Sequence, residues 1–173
     1  MKIKVSHLAI GLHELAFEET INALDIEGKQ RFPNPIFIDI KIDKEYANLL
    51  FKIRVRTLAH LTCDRCLNEF DLEIGEETQV LFSREQPLGE YREQFSHDEG
   101  EMRPILPDMD MIDIAKDVRD TLLLAVPMKA LCEPGCKGLC PVCGVNLNRE
   151  TCHHESEKID PRWAKLKGLL NSN

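Results

Sequence analysis

Cys132, Cys136, Cys140, Cys143 and Cys152 crowd one stretch of the chain, followed at once by His153 and His154. Thiolates and imidazoles at such spacing are ligands for a borderline-soft divalent ion, and zinc takes four of them in a tetrahedron. Five cysteines and one histidine overfill one tetrahedron and underfill two. Cys63 and Cys66, in LTCDRCLNEF, supply the missing pair, because a C-x-x-C turn aims two thiolates at one ion. The ligand set then reads Cys63/Cys66, Cys132/Cys136, Cys140/Cys143 and Cys152/His154. It suffices for one or two structural zinc ions.

Local spacing favours Cys140, Cys143, Cys152 and His154 as one site. The other then joins Cys63 and Cys66 to Cys132 and Cys136. A crossed arrangement, with Cys63 and Cys66 meeting Cys140 and Cys143, stays open, as does His153 in place of His154. In CPVCG, Pro141 stiffens the turn and Gly144 permits a left-handed residue after the second cysteine.

Other chemistries fit less well. A redox C-x-x-C belongs at a strand-to-helix junction, where the helix end lowers a thiol pKa, and Cys63–Cys66 lies between two strand patterns. His97-Asp98-Glu99 is half of a zinc-deaminase signature, but Pro141 follows Cys140 where the other half needs it in front. No H-E-x-x-H, phosphate-binding glycine loop or dinucleotide fingerprint occurs. The expectation is a protein with no catalytic residue. A thiol- or metal-dependent enzyme is the less favoured alternative.

The elements that must position these ligands are mostly strands. Ile36, Ile38, Ile40 and Ile42 alternate with Phe37, Asp39, Lys41 and Asp43, and Phe51, Ile53 and Val55 alternate with Lys52, Arg54 and Arg56. Phe70, Leu72 and Ile74 continue the pattern to Val80 and Phe82, with a break at Gly75. KIKVS adds a strand near the start, while GLHELAFEETINALD reads as helical or irregular. The fold class is α+β: an antiparallel curled sheet or small open β-barrel, a packed amphipathic helix, and a zinc-stabilised C-terminal segment.

Four regions follow: a β-rich core, 1–82, carrying the Cys63/Cys66 hairpin; an acidic linker, 83–109; an amphipathic helix, 110–127; and a cysteine-rich segment with a terminal helix, 128–173. Asp108 or Asp110 caps the helix, Met111, Ile114, Ala115, Val118, Leu122 and Ala125 line one face, and Pro127 ends it.

Charge limits the partners. The chain carries −8, with the negative excess in residues 1–127, so it lacks the footprint of a nonspecific nucleic-acid binder. The longest apolar run, Leu122 to Val126, is far short of a membrane span. Seven cysteines, an odd number set at ligand spacing, fit a reducing cytosol better than a disulfide framework. Cytoplasmic location follows, with neither membrane nor DNA as partner.

CDRCLNEF at 63–70, LLLAVPMKALC at 122–132, CKGLCPVCGVNLN at 136–148 and DPRWAKLKGLL at 160–170 together resemble the YceD family, the large ribosomal RNA subunit accumulation proteins. The resemblance implies a ribosome-biogenesis factor, without assigned enzymatic activity, that supports accumulation of 23S-type rRNA. The family often has C-x-C after the NLN element; here Cys152-His153-His154 stands there, and histidine remains a competent ligand. A factor of this kind meets large-subunit rRNA or an assembly intermediate, directly or through a protein partner. A protein–protein adaptor with an indirect effect on rRNA is the alternative. Lys52, Arg54, Arg56, Lys137, Asn146, Asn148 and Arg149 are the candidate contacts. For the strand cations the competing expectation is an ordinary solvated face; for the asparagines it is turn chemistry.

Overall fold

The computed structural model describes residues 1–24, 26, 29–84, 101–105 and 110–153 of the 173. The H-x-E at 97–99, His154, Trp163 and the expected terminal helix lie outside the described residues. Strands form in the order β1 (Lys2–Lys4), β2 (Gly11–Glu19), β3 (Ile36–Lys44), β4 (Asn48–Thr62), β5 (Glu69–Ser83), β6 (Glu101–Pro104) and β7 (Met111–Asp113), followed by helix α1 (Ala115–Ala125). The class is α+β, mostly sheet, with a single α-helix among the described residues.

The main sheet runs β2-β3-β4-β5-β6 and is open, not a closed barrel. Strands β2 to β5 form an antiparallel meander, and β6 adds in parallel beside β5. The alternating isoleucines of β3, with Phe51, Ile53 and Val55 of β4, turn one face inward and are essentially fully buried. Ile74, Val80 and Phe82 of β5 join them. Gly75 does not interrupt β5: it pairs with Arg56, and a Cβ there would lie 3.0 Å from the Arg56 side chain and from Val55 O. Helix α1 packs on β4 and β5 and buries Val118 and Leu122.

Four expectations are corrected. The segment 11–19 is a strand, because His13, Leu15 and Phe17 alternate against β3; Leu12, Leu15 and Ala16 only mimic helical spacing. The 83–109 segment contains β6, whose parallel pairing also makes the sheet mixed rather than purely antiparallel. Arg103 of β6 makes a bidentate ion pair with buried Asp117 of α1, at 3.0 and 2.7 Å, and lies 5.9 Å from the Phe82 ring centroid. The helix begins at Ala115, not at 110, because Met111–Asp113 pairs with β1 in a separate two-stranded sheet. Asp113, rather than Asp110, serves the helix start: its carboxylate accepts the Ala115 N–H at 3.0 Å and the N-terminal ammonium at 3.1 Å, while Asp108 lies outside the described residues. Val126 is extended ahead of Pro127, and α1 stops there.

Two compact units emerge. One comprises Met1–Thr62 with Glu69–Ala130, the other Cys63–Asn68 with Leu131–Asn173. The Cys63–Cys66 turn, although carried between β4 and β5, thus belongs with the C-terminal segment.

Candidate metal centres

Two copies of one backbone turn organise the second unit. In CDRCLN, the Cys63 N–H donates to Asn68 O and the Leu67 N–H to Cys63 O. In CPVCGV, the Cys140 N–H donates to Val145 O and the Gly144 N–H to Cys140 O. Each turn needs a left-handed residue after its second cysteine. Gly144 (φ 74°) supplies it in one, and Leu67 (φ 58°) in the other despite the steric cost to a residue with a Cβ. Both turns point two sulfurs the same way and aim backbone N–H groups at the first.

Cys63, Cys66, Cys132 and Cys136 converge with all sulfurs within 4.8 Å of one another. Cys63 faces Cys136 at 3.8 Å and Cys66 faces Cys132 at 3.6 Å. A zinc ion with four sulfurs at about 2.3 Å has tetrahedral edges of about 3.8 Å, and these two separations match that length. Cys140, Cys143 and Cys152 form a second cluster on the same criterion. His153 is exposed and lies outside that cluster, while His154 falls beyond the described residues. The groupings follow the local arrangement, not the crossed one. No disulfide joins any of the seven cysteines.

Electrostatics also ask for a cation. Burial pushes the Cys63 thiol up, but N–H groups of Cys132, Cys66 and Arg65 outweigh it and hold the pKa at about 6. Cys140 is lowered to about 6 by the N–H groups of Cys143 and Val142. Burial, then the sulfurs of Cys66, Cys63 and Cys136, push Cys132 up to about 12. For Cys66, the Asn68 N–H pulls down, yet burial and Cys63 leave the pKa raised. Cys66 and Cys132, both raised, resist ionising beside Cys63, and a bound divalent ion would remove that conflict.

Residues around the four-cysteine cage lock it. The Arg65 guanidinium donates to Cys136 O at 2.7 Å, and Arg65 O accepts the Leu139 N–H at 3.1 Å. Gly138, at φ 78°, lets the chain pass: a Cβ there would meet Arg65 O at 3.0 Å. Asn148 Oδ1 accepts the Lys137 N–H at 2.7 Å, its Nδ2 donates to Cys136 Sγ at 3.2 Å, and its own N–H donates to Asn146 Oδ1 at 3.0 Å. Arg65, Leu67 and this sulfur contact of Asn148 were not anticipated. Aligning CDRCLN with CPVCGV would have pointed to Leu67, opposite Gly144.

Asn146 thus bonds within its own loop, and the Asn148 amide is engaged by Lys137 and Cys136. Arg54 pairs with Glu77 and Arg56 with Asp39, each at 2.9 Å, beside Lys41–Glu14 on the solvent face of the sheet. That ladder is the ordinary charged face of a strand. Lys52, Lys137 and Arg149 are exposed.

The family model described as "Large ribosomal RNA subunit accumulation protein YceD" matches residues 51–170. The chain is 28% identical to the chloroplastic large ribosomal RNA subunit accumulation protein YCED homolog 1 of Arabidopsis thaliana over 155 residues, covering 78% of this chain and 48% of the relative. Its Zea mays counterpart is 29% identical over 146 residues, covering 72% and 50%. An uncharacterized protein of Mycobacterium tuberculosis is 48% identical over 59 residues, covering 34% and 28%. The chain therefore spans about half, or less, of the length of these curated relatives. No solved structure gives a significant match. With the family model matched over well more than half of its residues, the chain belongs to the YceD family of large ribosomal RNA subunit accumulation proteins.

Proposed function

We propose that the chain is a non-enzymatic ribosome-biogenesis factor supporting accumulation of large-subunit (23S) rRNA, with a C-terminal unit shaped by two structural zinc ions. The family match over residues 51–170 carries the biological part, supported by the plant relatives named for rRNA accumulation. Two sulfur separations close to a zinc tetrahedron's edge, and the convergence of all four sulfurs, support the metal part. Cys63, Cys66, Cys132 and Cys136 would hold one ion, and Cys140, Cys143, Cys152 and His154 the other. Zinc in such filled sites supplies folding free energy rather than reactivity. The chain's own residues do the rest: Arg65 and Gly138 set the approach of CKGLC to the CDRC turn, and exposed Lys52, Lys137 and Arg149 face the rRNA phosphates. A cytosolic setting keeps the thiols reduced.

An adaptor that reaches rRNA through a protein partner is the second reading. It is favoured by the ion pairs that occupy Arg54 and Arg56 and by the net charge of −8. In-cell ultraviolet crosslinking of the tagged chain, with sequencing of attached RNA, separates the two. Reads confined to a region of large-subunit rRNA support direct contact. Background crosslinking together with loss of 23S rRNA on depletion supports the adaptor, and unchanged 23S rRNA on depletion refutes both.

A further inference from the structure

Asn148 sits between Cys143 and Cys152, in the loop bounded by the three-cysteine cluster, yet its amide reaches the other cluster. Its orientation is dictated rather than assumed. A backbone N–H must donate, so the atom facing Lys137 N at 2.7 Å is Oδ1, and Nδ2 is left to donate to Cys136 Sγ at 3.2 Å. Cys136 is only 1% exposed, so the amide, not bulk water, meets this sulfur. The Asn148 backbone N–H donates to Asn146 Oδ1, which fixes the approach.

We propose that Asn148 is a positioning residue that couples the two metal sites: an ion held by Cys140, Cys143 and Cys152 orders the loop that delivers the amide to Cys136, and so tightens the four-cysteine site. The inference rests on reading both clusters as metal sites. An amide donor withdraws charge from a thiolate, and in a four-thiolate cage the ligands repel one another. Donation to one sulfur therefore stabilises the loaded cage. The ligands of the three-cysteine cluster lie within residues 140–152, so closing it orders only a short loop, whereas the four-cysteine cage must bring residue 63 to residue 136. Linkage makes the coupling reciprocal: filling the four-cysteine site tightens the other by the same factor.

The test is anaerobic Co2+ titration of the full chain against a competing chelator, following thiolate-to-cobalt charge-transfer absorption. It compares wild type, Asn148→Ala, Asn148→Asp, Cys143→Ser and the Cys143→Ser/Asn148→Ala double variant. Loss of an outer-shell partner predicts an affinity drop of about 10–100-fold at the four-cysteine site in Asn148→Ala, with a shifted charge-transfer band. Asn148→Asp keeps the acceptor for Lys137 but turns an anionic oxygen toward the sulfur, and should bind at least as weakly as the alanine variant. Cys143→Ser should weaken the same site, and the double variant should be no weaker than the worse single variant to within about twofold. An Asn148→Ala affinity and band unchanged within about twofold, or effects that simply multiply, overturn the coupling while leaving both metal sites intact. A wild-type protein that takes up fewer than two ions overturns the metal reading and the coupling with it.

Discussion

Replacing Arg103 by alanine should destabilise the β-rich unit far more than its place in an acidic, proline-punctuated segment suggests. Arg103 holds both carboxylate oxygens of Asp117, whose side chain is 6% exposed, whereas that of Arg103 is 25% exposed. The two halves of the pair are therefore not equivalent. Removing Arg103 strands a carboxylate under the sheet; removing Asp117 leaves a long cation that can swing to water. Breaking a buried pair from the side that leaves a charge behind costs about 3–5 kcal/mol, and the solvent-reaching side should cost about 1–3 kcal/mol. For a chain of this size the larger loss corresponds to a fall in Tm of about 6–20 °C. Urea unfolding followed by far-UV circular dichroism at fixed zinc, on Arg103→Ala, Asp117→Ala and Arg103→Met/Asp117→Leu, measures all three. The apolar pair should recover most of the loss, since it leaves no unpaired charge. An Arg103→Ala protein within about 1 kcal/mol of wild type, or an Asp117→Ala loss as large as that of Arg103→Ala, would refute the reasoning.

Four further outcomes are expected. Chelation of metal, or Cys140→Ser, should open residues 131–153 to protease while the sheet signal of the other unit persists; an unchanged digestion pattern would count against a structural metal. Gly138→Ala should cost about 2 kcal/mol or more and speed metal release to a chelator, because positive φ and a clash with Arg65 O combine. Gly144→Ala, which meets open space, should cost about 1 kcal/mol, for strain alone. The His60 pKa is raised by its 2.7 Å contact with Asp71, then by Glu69, against burial. The resulting stabilisation is full below the ordinary value of 6.5 and fades as pH rises through the raised one. An NMR titration of Asp71→Asn should therefore show the His60 midpoint falling; an unmoved midpoint would remove that contact from the account.

The strands of the meander were legible because burial of one face imposes strict alternation, and Ile36–Ile42 and Phe51–Val55 display it without interruption. Strand β2 was not, since Leu12 is exposed and its spacing to Leu15 and Ala16 imitates a helix. Strand β6 carries no alternation of its own: its place comes from parallel pairing with β5 and from the Arg103–Asp117 contact, both long-range. The start of α1 was misplaced because pairing of Met111–Asp113 with β1 depends on a partner more than a hundred residues away. In the candidate site, ligand types and spacing pointed to the cysteines, whose chemistry is local. Which pairs share a cage is decided by tertiary contacts such as Arg65 to Cys136 and Arg65 to Leu139, which no spacing encodes. Asn148 in the NLN element suggests an RNA contact or a turn; its donation to a sulfur is visible only once Cys136 is placed beside it.

Native mass spectrometry of the chain purified anaerobically, with elemental analysis, counts the ions that the two cysteine clusters hold. Two zinc ions per wild-type chain are expected, and one in either Cys63→Ser or Cys143→Ser. A wild type with fewer than two zinc ions, or a zinc count unaffected by both substitutions, would contradict the two-site reading.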